Sequence, residues 1–214
     1  MKVRMLMLVP LLLGVTACST VYYGAMEKFG VHKRDIMVDR VKAARDSQNA
    51  AKQQFLTALD QFKGVVSFQG GDLEKEYSRL DATLQKSEAA ANAVRGRIRS
   101  VEDVSEALFS EWRSELKQYA NNTLREASQR KYDSTQAKYT ALIAAMRRAE
   151  SKLEPALIPL RDQVLFMKHN LNARAIAGLS SELSSVQTNV DQLVRDMELA
   201  VAQADSFIAA LQTE

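Results

Sequence analysis

The chain has 214 residues, 46% hydrophobic and 26% charged, with 29 Lys and Arg against 26 Asp and Glu, one Cys and two His. So small an excess of positive charge does not make the concentrated basic surface that a phosphate backbone demands, and no nucleic acid is expected as a partner. With no GxxxxGK[ST] loop, no HExxH and so few nucleophiles, the residues offer no nucleotide site, no catalytic constellation and no call for a cofactor.

The N-terminus is a targeting segment. Lys2 and Arg4 precede the apolar run Met5 to Val15, which is too short to span a bilayer, since a spanning helix needs about 20 apolar residues. Two cleavage readings compete. Val15 and Ala17 suit ordinary secretory cleavage after Ala17, whereas Val15-Thr16-Ala17-Cys18 resembles the lipobox of bacterial lipoproteins. Cys18 favours the second, because it is the sole thiol of the chain and stands where lipidation requires it. Lipidated Cys18 would carry two or three acyl chains, enough for stable attachment where one is marginal. Residues 1–17 are then the signal peptide, and residues 18–24 the anchor and a short tether. In the lipoprotein sorting rule that this resemblance brings with it, Ser19 after the cysteine points to the outer membrane. Tyr22 and Tyr23 suit the headgroup level of a bilayer or packing on the first helix.

After Cys18 only Pro155 and Pro159 remain to interrupt a sequence rich in helix formers, so the expected fold is all-α. Positions 41, 44, 48, 51, 55, 58, 62 and 65 are apolar except Gln48 and alternate spacings of three and four. They predict a helix from about 25 to 66, stopped at Gly70-Gly71, with Asp72 as the next N-cap. A heptad seam then runs through Leu73, Leu80, Ala91, Ile98, Leu108 and Trp112 to Tyr119. Ser100 to Asp103 has capping-box form, yet the seam crosses it in phase, which predicts a continuous helix or at most a kink. Beyond Asn121-Asn122 the pattern returns one residue out of register from Thr135 to Leu153, and it leaves open whether residues 72 to 153 form one helix or two. Glu154-Pro155 predicts a new helix start. From Leu179 to Leu211 every one of ten seam positions is apolar. The expected product is one domain, residues 25–214: an elongated antiparallel bundle of long helices with turns near 67–71 and 153–156.

Two polar clusters are the candidate sites. In residues 27–46 ten side chains are charged, and His32, Asp35 and Asp39 are spaced to share one helical face with Lys33, Arg34 and Arg40 nearby. In "KHNLNAR", residues 168–174, His169 and Asn172 are three apart, with Asn170 between them. Three readings stand. The charges form solvated faces with weak pairs such as Lys42 with Asp46; or they form a polar network pinning the first helix against the fourth; or His32, Asp35, Asp39 and His169 converge on a divalent cation or small ligand. Trp112 and the seam tyrosines read as core.

The strings "HKRDIMVDRVKAARDSQNAAKQQFLTAL" and "DQVLFMKHNLNARAIAGLSSEL", with "YYGAMEKFG" and the lipobox, resemble the uncharacterised bacterial lipoprotein family known as domain of unknown function 2959. The resemblance implies a helix-rich, periplasm-facing lipoprotein of Gram-negative bacteria and implies no activity. The expected role is that of a scaffold or adaptor without catalysis, attached to the membrane through Cys18 and binding a protein partner or its own kind. The alternative is a metal- or ligand-binding module built on the two histidine clusters.

Overall fold

The computed structural model describes residues 32–68, 70–170 and 178–212. Its helices are α1 (Lys33–Val66), α2 (Leu73–Leu116), α3 (Asn122–Ser151), α4 (Leu153–His169) and α5 (Leu183–Gln212), with no strand among the described residues. Cross-helix bonds set their directions. Lys33 meets Glu111 and Gln61 meets Glu76, so α1 and α2 are antiparallel. Along α2 the partners of Glu102, Arg95 and Glu88 are Arg147, Glu154 and Arg161, so α3 and α4 run in one direction, antiparallel to α2. Arg45 with Asp205 and Lys52 with Glu198 place α5 antiparallel to α1. The result is an up-down-up-down bundle of four rods, with α3 and α4 sharing the third. At 1.5 Å per residue, α2 alone rises ~66 Å.

The seams read from the sequence form the core. Phe55, Phe62, Val94, Ile98, Leu142, Met146, Leu193 and Met197 are fully buried. Leu179 and every seam position from Val186 to Leu211 are buried too, with Leu183 partly so. Gly70 and Gly71 have φ of 147° and 132°, conformations that a side chain would strain. Asp72 then accepts from the Lys75 amide at 3.1 Å, as an N-cap does. The helix passes unbroken through Ser100, whose hydroxyl donates to the Gly96 carbonyl and makes no capping box.

Three expectations are corrected. Helix α1 begins at Lys33, not near 25, because His32 is extended (ψ 146°) and serves as N-cap. Traced backward, the seam meets Arg34 and Gly30 and runs out of apolar side chains. The chain also does not turn back at 153–156. Only Lys152 separates α3 from α4, in a right-handed helical conformation, and Pro155 sits in the first turn of α4, where its missing N–H breaks no helical bond. The reversal falls instead at residues 117–121, so residues 72 to 153 form two helices. Asn121 caps α3 there, accepting from the Leu124 amide at 3.1 Å. Thirdly, Glu115 and Tyr119 are exposed and not part of the seam. The buried face turns by one residue onto Phe109 and Leu116, because α1 and α5 have ended at this level and, among the described residues, α3 is the helix left to pack against.

Candidate functional site

The residues of the first cluster sit where α1 starts, α5 ends and α2 passes. Lys33 is largely buried and donates to Glu111 at 2.9 Å. Arg34 donates to the Leu211 carbonyl, one of the acceptors that the last turn of a helix leaves without an amide. Asp35 and Asp39 are exposed and line a shallow groove of about 400 Å³ with Val38, Lys42, Leu211 and Gln212. Arg40 is half-buried. His32 is exposed and, being extended, does not continue the helical face of Asp35 and Asp39. Asp46 accepts from its neighbour Arg45, not from Lys42, and Arg45 also reaches Asp205 at 2.9 Å.

The second cluster lies elsewhere. His169 is the exposed last residue of α4, and Asn170 is its C-cap, donating through its side chain to the Phe166 carbonyl at 2.9 Å. Lys33 is level with Glu111 and Arg161 with Glu88 on the same helix; His169 is eight residues further along. At 1.5 Å per residue these offsets separate His32 from His169 by ~45 Å along the bundle. The two histidines therefore share neither a polar network nor a coordination shell. Among the described residues no group of three or more His, Cys, Asp or Glu is placed to hold a metal ion. Cys18 and Asn172 lie outside the described residues.

Three features were not read from the sequence. The first is a chain of ion pairs: Glu88, Arg161, Glu154 and Arg95 in one run, and Glu102, Arg147 and Glu150 in another. The hydrogen bond from Arg161 above all holds the Glu154 carboxyl below the usual carboxylate range; burial opposes it, and the Arg95 hydrogen bond and the charges of both guanidinium groups add to the lowering. The second is an apolar stripe on α4, where Ile158, Leu165 and Phe166 are 49%, 60% and 42% exposed. Spacings of seven and eight put them on one face, a signal that was present in "IPLRDQVLFMKH", residues 158–169. The third is an aromatic knot at the α2–α3 end. Tyr132 meets Phe109 and Trp112 edge-on, both at 5.6 Å, while the Trp112 indole N–H donates to the Ser128 hydroxyl at 2.9 Å. Trp112 is thus half-buried packing, in keeping with its reading as core.

No candidate span exists among the described residues: none of their helices is long and apolar enough to cross a membrane. A comparison with curated proteins finds no match. A family described as "Protein of unknown function (DUF2959)" matches residues 22–211, from the tyrosine pair to the last turn of α5. That match takes in both polar clusters, all five helices up to Leu211 and the whole core, and the chain belongs to this family.

Proposed function

We propose that this protein is an outer-membrane-anchored periplasmic lipoprotein that works as a helical scaffold, holding a protein partner against the apolar stripe of α4. The observation that carries the reading is the exposure of Ile158, Leu165 and Phe166 on one face of a helix whose other face is fully packed. Large apolar side chains grouped on a surface mark interaction sites more often than solvated ones do. The lipobox at Cys18 supplies the anchor, and long rods with many cross-helix ion pairs supply a rigid support. Two measurements test it. Wild-type protein should label with radioactive palmitate, and Cys18→Ser should remain an unlabelled precursor. A photo-crosslinker placed at Leu165 should capture one defined protein in intact cells, and Ile158→Ser with Phe166→Ser should abolish that adduct. An unlabelled protein free in the periplasm would refute the anchor; a Leu165 crosslinker that captures nothing, or captures the same protein in the double variant, would refute the scaffold face.

A further inference from the structure

Among the described residues the α2–α3 hairpin outruns the other helices of the bundle. Helix α1 starts level with Glu111, and α5 ends beside Arg34, as the Lys33 to Glu111 and Arg34 to Leu211 contacts show. Residues 112–116 continue α2 by ~7 Å beyond that level before the turn at 117–121. At this tip Tyr119 is 40% and Leu124 57% exposed. An open groove of about 860 Å³ between the two helices is lined by Arg113, Lys117 and Arg125, with Glu126 as the opposing charge. None of those three cations takes part in an ion pair of the described residues. Between 113 and 131 the chain carries Arg113, Lys117, Arg125, Arg130 and Lys131 against Glu115 and Glu126. The opposite end has the reverse balance: Lys63, Lys75 and Arg79 against Asp60, Asp72, Glu74 and Glu76.

We propose that this tip is the face the protein sets against a lipid bilayer: Tyr119 and Leu124 enter the headgroup region while Arg113, Lys117 and Arg125 meet anionic lipid phosphates. Exposed tyrosine and leucine beside basic side chains is the pattern of interfacial binding. The inference rests on the lipid-anchor reading for its orientation, and chain length then selects the end. Residues 19–31, thirteen in all, lie between Cys18 and His32, and fully extended they reach ~45 Å. The turn at the far end of α1 lies ~50 Å beyond His32. A tether held at Cys18 therefore keeps the His32 end, and with it the basic tip, within ~45 Å of the membrane, whereas the far turn lies ~50 Å further along the bundle.

The test uses the chain from Ser19, which holds the whole described core and no acylated cysteine, in flotation with vesicles of phosphatidylglycerol or phosphatidylcholine. Binding is expected to phosphatidylglycerol alone, to fall steeply as salt is raised, and to drop at least tenfold in the Arg113→Glu, Lys117→Glu, Arg125→Glu triple variant. Tyr119→Ser with Leu124→Ser should lower it severalfold while the salt dependence persists. Lys63→Glu with Lys75→Glu, at the far end, should leave it unchanged. Trp112, the sole tryptophan of the chain, adds a readout that needs no substitution: its emission should change on adding anionic vesicles and stay constant with neutral ones. Equal binding to both lipids, binding undiminished in the triple variant, or equal loss in the far-end variant would overturn the proposal. Palmitate labelling of the full chain decides the anchor separately, because the flotation protein lacks it.

Discussion

Arg34 and Leu211 tie the first described helix to the last at one end of the bundle: the guanidinium in the first turn of α1 donates to a main-chain carbonyl in the last turn of α5. A cation at a helix C-terminus also opposes the partial negative charge that aligned peptide dipoles leave there. Replacing Arg34 by Met keeps much of the stem and removes both effects. The expected cost is about 1 kcal/mol, with faster amide hydrogen exchange confined to the last turn of α5. Exchange that rises evenly along α5 would contradict a local role.

Gln48 is fully buried on the core face of α1, and neither its amide nitrogen nor its oxygen has a hydrogen-bond partner among the described residues. A desolvated, unsatisfied amide costs about 1 to 3 kcal/mol. Gln48→Leu, close in volume, should raise stability by about 1 to 2 kcal/mol, read as a higher urea midpoint with an unchanged slope. A fall in the midpoint would mean that the amide is satisfied, by an ordered water for example.

Acid should weaken the α2–α4 contact through Glu154. Its folded pKa lies below the ordinary carboxylate value, so its contribution is fully present above the unfolded pKa and is lost as pH falls through the folded one. The side chain is 46% exposed, so the effect is modest and salt-sensitive. Wild type should lose more stability than Glu154→Gln between about pH 6 and pH 2, and the two curves should converge at the acid end. Parallel curves would exclude this coupling.

The N-caps offer a paired comparison. Asp72→Ala and Asn121→Ala each remove a bond of 3.1 Å to a first-turn amide, at the starts of α2 and α3. Each should cost about 1 kcal/mol. Only the Asn121 variant should also alter Trp112 fluorescence, since Trp112 packs against α3 through Ser128 and Tyr132. An unchanged emission in that variant would separate the cap from the aromatic knot.

Sequence periodicity revealed most of the core because each rod packs along one stripe, and one-stripe packing writes a regular spacing into the chain. From Val186 to Leu211 every seam position is buried, and Ile208 beside the seam is the one further residue buried with them. The reversal at 117–121 was harder to read, since the heptad phase ran on to Tyr119 while its physical support ended earlier, with the neighbouring helices. Pro155 misled in the opposite direction: it starts a helix without bending the chain back. Nor does local spacing carry information about distance across the bundle, so "HKRD" and "KHNLNA" could be found as clusters but not assigned to opposite regions. The exposed Ile158, Leu165 and Phe166 were lost among core residues of the same chemistry, because hydropathy does not tell which face of α4 its neighbours cover.

The even number of rods has a practical consequence for placing reporters. Residue 32 and residue 212 emerge at the same end, beside the basic hairpin. A fluorescent protein fused after the C-terminus would therefore sit at the pole where His32 enters the bundle and would crowd Tyr119 and Leu124. An insertion between Ser67 and Gly71 would instead look out from the opposite pole, ~50 Å away along the bundle. A matched pair of such fusions makes the molecule a ruler, with energy transfer from each fusion to a membrane dye measuring which pole lies closer to the lipid.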